Sequence, residues 1–341
     1  MTNPFTFEII DHFAKCKHIA SIPIKQFKLT ERPLITIAIP TYKRAVLLNE
    51  TIKSALNQTF KGLYEILVVD NNPERGDETE QLLCHYSNYP QISYWKNSEN
   101  IGMMNNWNRL FLLAQSNWVV MLHDDDLIQQ HYLATMVPYI NEAYGYVACR
   151  QRILTSGCLN KPKKYKANPQ PLSLIDYAWG NYINAPVGVM INKKKAIIIG
   201  GFDSNCFPTS DYYFFAFMTK SFPALMINEE LGIYRVECNA SFKTSTLDGF
   251  VLNDYQLTQA IMTICHIPAF IRNSVQTCRL NRHIKNLRRH WNPKYSTTVV
   301  SYSSNRIRYI FSYIILKLFY RNYVRLGKCL NWKYYCNPIN K

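Results

Sequence analysis

Between Leu34 and Leu122 four short apolar runs alternate with three segments of helical spacing, and this alternation limits the folds open to the chain more than any other feature. The runs are Leu34 to Ile39, Glu65 to Val69, Ile92 to Trp95 and Asn117 to Leu122. They have the length and the β-branched or aromatic content of buried strands. Between them lie Val46 to Gln58, with Leu48, Ile52, Ala55 and Leu56 on one face, then Glu78 to Tyr86 and Met103 to Ala114. Strand and helix in strict alternation predict an α/β fold, a mostly parallel sheet with helices on both faces. Ligands of such sheets sit outside the carboxyl ends of the strands. Three polar clusters fall at those ends: Pro40-Thr41-Tyr42, Asp70-Asn71-Asn72 and Asp124 to Asp126.

The last cluster, His123-Asp124-Asp125-Asp126, directly follows the fourth run. Carboxylates this close repel one another, and a cation is the simplest reason for all of them to stay ionised. The expected ion is Mg²⁺ or Mn²⁺, hard cations usually shared with a substrate phosphate. The plainer reading is a solvated turn of surface acids.

The remaining chain is less regular. Phe7 to Ala20 reads as a short amphipathic helix, with Pro23 and Pro33 bracketing a linker. Asn160 to Lys166 reads as an exposed basic loop and Val187 to Ile191 as a strand. Lys193 to Ile199 reads as a helix stopped by Gly200-Gly201. Asp211 to Lys220 reads as a helix capped by Thr209 or Ser210, and Leu231 to Val236 as a strand. The length of 341 residues suits one large domain with appendages. The ten cysteines include no C-x-x-C pair, and Met1 to Phe5 show neither a basic n-region nor an apolar h-region. Reduced thiols in a cytosolic protein are therefore expected.

Taken in order, Ile39 to Arg44, Ser54 to Thr59, Glu65 to Asn72, Asn100-Ile101-Gly102, His123 to Asp126, Gly200 to Asp203 and Ser210-Asp211 resemble the family 2 glycosyltransferases. The likeness runs from about residue 33 to 245. It implies the nucleotide-diphospho-sugar-binding fold called GT-A. By resemblance, Pro40, Thr41, Tyr42 and Arg44 line the nucleotide pocket, and Asp70 accepts a hydrogen bond from the base, often uracil. Asn100, Gly102 and Asn106 lie beside nucleotide and sugar. Asp124 to Asp126 occupy the D-x-D position that holds the metal on the donor diphosphate; two registers are open, with Asp125 and Asp126 the first choices. Asp211 is the implied catalytic base. Two departures stand out: Ser210 replaces the acid that usually precedes the base, and Glu237, not His, follows Tyr234-Arg235-Val236. Arg235 remains a fixed cation suited to phosphate.

Transfer of a glycosyl group requires a neutralised leaving diphosphate and a positioned base on the acceptor hydroxyl. A base acting directly on the acceptor implies inversion at the anomeric carbon. The likeness thus implies an enzyme that takes a nucleotide-sugar donor, UDP-sugar first, and a glycan acceptor, free or polyprenyl-diphosphate-linked, in surface-polysaccharide assembly. Several residues also have purely structural readings. Asp211 can serve a helix start, Asp70 an Asx turn, and His123 can border the metal rather than bind it. Arg109 reads as a surface residue, and Trp179, Tyr182 and Tyr212 to Phe215 as mainly core.

Charge is unevenly distributed. No Asp or Glu follows Asp254, whereas Arg272 to Lys341 holds 15 Lys and Arg, so nearly all of the net +16 lies in the last quarter. Lys317, Arg321, Arg325 and Lys328 form one stripe at helical spacing. Basic amphipathic helices seek anionic surfaces, so this region is expected to bind the inner face of the cell membrane peripherally. The expected division is an N-terminal helix and linker (1–32), a nucleotide-sugar half (33–130), an acceptor half (131–254) and a basic helical region (255–341). Two rival classes use the same features. One is a nucleic-acid-binding or catalytically inactive GT-A-like protein that binds through the basic region; no nucleic-acid recognition motif is visible. The other is a nucleotidyltransferase, whose first-strand loop is Gly-rich; Pro40 to Arg44 contains no Gly.

Overall fold

The computed structural model describes residues 3–26, 31–165, 169–236, 244–290, 294–297 and 306–334. The chain enters the sheet at its edge with Ser21–Lys25 (β1). Ile35–Thr41 (β2), Ala45–Leu56 (α1), Tyr64–Asp70 (β3), Glu78–Cys84 (α2), Ile92–Asn97 (β4), Met103–Leu113 (α3) and Trp118–Met121 (β5) follow in the alternation read from the sequence. After them come Leu127–Ile128 (β6), Tyr132–Met136 (α4), Tyr146–Thr155 (β7), Cys158–Leu159 (β8) and Gln170–Leu172 (β9). Val189–Asn192 (β10), Lys193–Ile198 (α5), Ser210–Ser221 (α6) and Ala224–Arg235 (β11) complete the α/β body. The helices Thr244–Ile264 (α7), Ala269–His290 (α8), Arg306–Ile315 (α9) and Arg321–Cys329 (α10) close the described chain.

The strands form one mixed sheet in the order β1-β4-β3-β2-β5-β10-β7-β11-β6. Its centre, β4-β3-β2-β5, is parallel, as is the pair β7-β11, while β1, β10 and β6 run antiparallel to their neighbours. From β2 the chain winds outward through β3 to β4, and α3 then carries it back across β2 to β5. The winding direction therefore reverses between β2 and β5, where such sheets open a crevice at the carboxyl ends.

Period-two alternation divides the side chains between two apolar layers. Ile35, Ile37, Ile39, Ile66, Val68 and Val120 pack with Leu48 and Ile52 of α1, and with Tyr132 and Leu133 of α4. Ala38, Leu67, Val69, Val119 and Met121 face Trp107 and Phe111 of α3 and the aromatic row of α6. The C-terminal helices share this second layer, which also takes in Leu257, Ile261, Val275, Cys278, Leu316 and Tyr320.

The N-terminal expectation fails. Phe7 to Ala20 contains only the 3₁₀ turn Phe13–Cys16. Tertiary partners override helical spacing here: Tyr213 Oη accepts a hydrogen bond from the Phe7 amide at 2.9 Å, and Phe5 and Phe7 meet the Tyr213 ring edge-on. Arg109, expected at the surface, is buried and donates to the carbonyls of Cys16 and Ile19 at 2.6 and 2.7 Å. The linker between Pro23 and Pro33 begins instead as edge strand β1, the position in a sheet that tolerates a proline.

Candidate functional site

Where β2 ends, Thr41 Oγ1 donates to Asp124 Oδ2 at 2.7 Å across the crevice. Lys43 takes a left-handed φ of 52°, which turns the chain into α1. Arg44 at the start of α1 sets Nη1 2.7 Å from Asp125 Oδ2 and 3.5 Å from Asp124 Oδ1. The acidic turn is held from behind. Asp126 Oδ1 accepts from the Arg235 amide at 2.9 Å, and Arg235 Nε donates to Asp125 O at 2.8 Å. The Arg235 guanidinium also pairs with Glu50, and Thr51 Oγ1 donates to Asp126 O at 2.9 Å. Arg235, expected to reach phosphate, instead splints the turn to α1.

The charges are crowded and buried. His123 stacks on Trp107 with ring centroids 4.7 Å apart, and its Nδ1 lies 3.5 Å from Asp126 Oδ2. Burial pushes the Asp126 carboxyl up, to about 6. Burial alone would push His123 down, but Asp126, Asp125 and Asp124 outweigh it and hold the imidazole above its ordinary value. Asp124 is raised by burial, with the Thr41 hydroxyl opposing. Among the described residues, Asp126 Oδ2 and His123 Nε2 are buried without a hydrogen-bond partner. One ligand atom each from His123, Asp125 and Asp126 lies within 4.8 Å of the others. An imidazole, two carboxylates and orphaned buried polar atoms fit a small divalent cation.

Asp211 lies in the first turn of α6. Oδ1 accepts from the Tyr212 amide at 2.8 Å, and Oδ2 lies 3.4 Å from Asn181 Nδ2. Burial pushes it up, to about 6, against these hydrogen bonds and the charge of His123. Ser210, at the position of the missing acid, donates to Asp203 O at 2.8 Å and so anchors the helix start. Gly200 and Gly201 leading to it have φ of 92° and 81°; a Cβ on Gly200 would fall 1.8 Å from Ile10 O. Asn108 of α3 fixes the next residue, exchanging hydrogen bonds of 2.9 and 2.7 Å with the Phe202 backbone.

The other anticipated residues divide. Tyr42 is 44% exposed, Asn100 and Gly102 are exposed, and Pro40 is buried in β2. Asn100 Oδ1 accepts from Asn71 Nδ2 at 2.8 Å and from the Gly102 amide at 2.9 Å. Asp70 has no exposed surface: Oδ1 accepts from the Asn72 amide, and Oδ2 from Tyr94 Oη at 3.0 Å and Lys96 Nζ at 2.9 Å. It is therefore tied to β4 and to the turn that follows β3, with Oδ1 engaged by the Asn72 amide. Asn106 is likewise buried, spanning Asn97 and Val69 O. Glu237 lies outside the described residues. Sequence reading missed Glu50, Lys96, Trp107 and Asn181. Only Lys96 left a sequence trace, as a lysine within a buried parallel strand whose register sets it beside Asp70.

The Glycosyl transferase family 2 model matches residues 36–203. Over 131 residues the chain is 34% identical to the GalNAc(5)-diNAcBac-PP-undecaprenol beta-1,3-glucosyltransferase of Campylobacter jejuni, covering 38% of this chain and 41% of that protein. Over 127 residues it is 31% identical to the abequosyltransferase RfbV of Salmonella typhimurium, covering 37% of each. The chain thus spans less than half the length of these relatives. Among solved structures it resembles S. aureus TarS 1-349 in complex with UDP-GlcNAc, with a TM-score of 0.58, 14% identity and coverage of 82% and 79%. It also resembles the mannosyltransferase PcManGT of Pyrobaculum calidifontis in complex with GDP-Man and Mn²⁺, with a TM-score of 0.52, 15% identity and coverage of 88% and 86%. At these identities the likeness establishes the fold.

Proposed function

Because residues 36–203 make up a glycosyl transferase family 2 domain, we propose that the protein is an inverting glycosyltransferase. It moves a sugar from a nucleotide-diphospho-sugar, UDP-sugar first, to a hydroxyl of a glycan acceptor. The observation that carries this reading is the acidic turn at the switch point of the sheet, clamped from behind and bearing two orphaned polar atoms. In this reading Thr41, Tyr42, Arg44, Asn100, Gly102 and Asp124 bound the donor pocket, within a nucleotide-sugar half (33–130). Asp211 belongs to the acceptor half (131–254).

Asp125 and Asp126, with His123 beside them, would hold Mn²⁺ or Mg²⁺, which when bound neutralises charge on the leaving diphosphate. The protein's own residues do the rest. Thr41 and Arg44 fix the orientation of Asp124 and Asp125. Arg235 and Thr51 tie the turn to β11 and α1. Asp211 accepts the proton of the acceptor hydroxyl as that oxygen attacks the anomeric carbon from the face opposite the leaving group. The Tyr212 amide and Asn181 orient its carboxylate.

The name of the Campylobacter relative, which carries an undecaprenol diphosphate, supports a lipid-linked acceptor in surface-polysaccharide synthesis. The acceptor of such a reaction lies at a membrane, and peripheral attachment to its inner face is part of the proposal. The product tests the stereochemistry. The purified chain is given candidate donors and a polyprenyl-diphosphate-linked sugar, and the new linkage is read by NMR. Inversion relative to the donor is expected; retention would exclude Asp211 as a base acting directly on the acceptor.

A further inference from the structure

The last described helices are nearly continuous: α9 leads through a π-helical turn, Leu316–Tyr320, into α10. One side seats this rod on the body. Ser312, Leu316, Tyr320 and Gly327 are buried, the Tyr320 ring lies 6.3 Å from Trp179, and Lys328 Nζ is 2.7 Å from Asp176. The opposite side does not resemble a solvated face. Ile310, Phe311, Ile314 and Leu318 are 48, 64, 46 and 55% exposed. At spacings of one, three and four residues they share one face, and Phe319 flanks them, edge-on to Phe270 at 5.9 Å. Lys317, Arg321 and Arg325 continue that face toward the C-terminus and are exposed. Contiguous exposed apolar side chains mark an interaction surface rather than ordinary solvent contact.

We propose that this face is a lipid-docking surface. Ile310, Phe311, Ile314 and Leu318 enter the acyl boundary of an anionic membrane, and Lys317, Arg321 and Arg325 meet its headgroups. The chain carries no acid after Asp254, so this face has cations and no acid of its own region beside it. A second copy docked symmetrically would set cation against cation, whereas an anionic bilayer satisfies charge and apolar surface together. No helix among the described residues is long and apolar enough to cross a membrane, so the rod lies in the interface. It rests on Leu174–Trp179, and the residues just beyond bring Asn181 to Asp211. Docking would therefore orient the candidate site toward the lipid surface. That consequence rests on the lipid-linked acceptor of the proposed function, whereas the docking itself does not.

Flotation of the full chain with phosphatidylglycerol-containing vesicles tests it, with pure phosphatidylcholine vesicles as reference. Co-flotation with the anionic vesicles, weakened by salt, is expected. Phe311→Asp with Leu318→Asp should lower partitioning roughly 100-fold, and each of Lys317→Gln, Arg321→Gln and Arg325→Gln roughly fivefold at low salt. Nucleoside-diphosphate release from the donor in lipid-free solution should be unchanged in all of them, which separates a failure of docking from a failure of the catalytic reading. As a check independent of the folding of the Asp variants, Phe311→Trp fluorescence should be quenched by brominated lipid beyond the wild-type background. The proposal is overturned by a wild type that stays in solution, by an Asp double variant that floats like wild type, or by no added quenching. It is also overturned if light scattering shows the double variant turning a dimer into a monomer with flotation unchanged.

Discussion

Replacing Asp211 by Asn should separate catalysis from stability in opposite directions. Burial moves this carboxyl from 3.8 to about 6. As a base it works only when ionised, so kcat/KM should rise with unit slope up to about pH 6 and level off above it. At pH 5, one unit below the midpoint, about a tenth of the molecules carry the ionised form, a roughly tenfold loss. Asp211→Asn should lower kcat by ~10²–10⁴ across the whole range and, at saturating Mn²⁺, which keeps Asp126 ionised, leave no such limb. The stability sign follows from linkage. A carboxyl whose folded-state value is raised adds stability below 3.8 that is lost as pH rises to about 6. Above pH 6 the wild type therefore carries a penalty of at most ~3 kcal/mol, less for partial exposure, and Asp211→Asn should be equal or higher in Tm there. Rate profiles and thermal melts from pH 4.5 to 8 measure both effects. A wild-type profile flat down to pH 4.5, or a correctly folded Asn variant keeping a tenth of wild-type kcat, would refute the assignment.

Three further outcomes follow from contacts around the site. Arg235→Met removes the side-chain ties of Nε to Asp125 O and of the guanidinium to Glu50 but keeps the backbone amide on Asp126 Oδ1, and Mn²⁺ affinity followed by EPR titration should fall ~10-fold, the low end of the usual effect of losing an outer support of a metal site. Lys96→Met leaves Asp70 and Asp77 without the ammonium that lies 2.9 and 2.8 Å from them; urea unfolding should show a loss of ~3–5 kcal/mol. Gly200→Ala drives a Cβ into Ile10 O at a φ of 92°, so it should cost more than ~2 kcal/mol and increase proteolysis of the N-terminal segment.

The sequence made the central sheet legible because β2, β3, β4 and β5 are buried on both faces, so their residues are largely apolar, with Thr36, Glu65, Ser93 and Lys96 as exceptions, and their ends are marked by polar residues. Element order alone did not say where the winding reverses; the structure sets the reversal between β2 and β5 and brings Thr41, Arg44, His123 and Asp124 to Asp126 together there. Partnership across the fold was not legible. Asp70 and Asn106 have the residue types of ligands, yet both are buried, with Lys96 and Tyr94 holding Asp70 Oδ2 and Asn97 donating to Asn106 from the same strand. Arg235 and Arg109 read as free cations because the carbonyls and carboxylate they bind lie 90 or more residues away. The N-terminal phenylalanines mimic helical spacing but pack singly against α6. In the last helices Lys317, Arg321 and Arg325 keep the stripe read from spacing but Lys328 turns to Asp176 on the body, and which apolar residues face outward depended on Leu316 and Tyr320 turning inward.

The central claim is that the acidic turn makes this chain a metal-dependent transferase of nucleotide sugars. Release of free nucleoside diphosphate from a panel of UDP-, GDP- and TDP-sugars, with Mn²⁺ and with EDTA, tests it most directly, using Asp125→Ala as the control. Release from one donor, abolished by EDTA and by the substitution, is the expected result. Release that persists in Asp125→Ala, or no binding and no turnover of any donor with Mn²⁺ present, would contradict it.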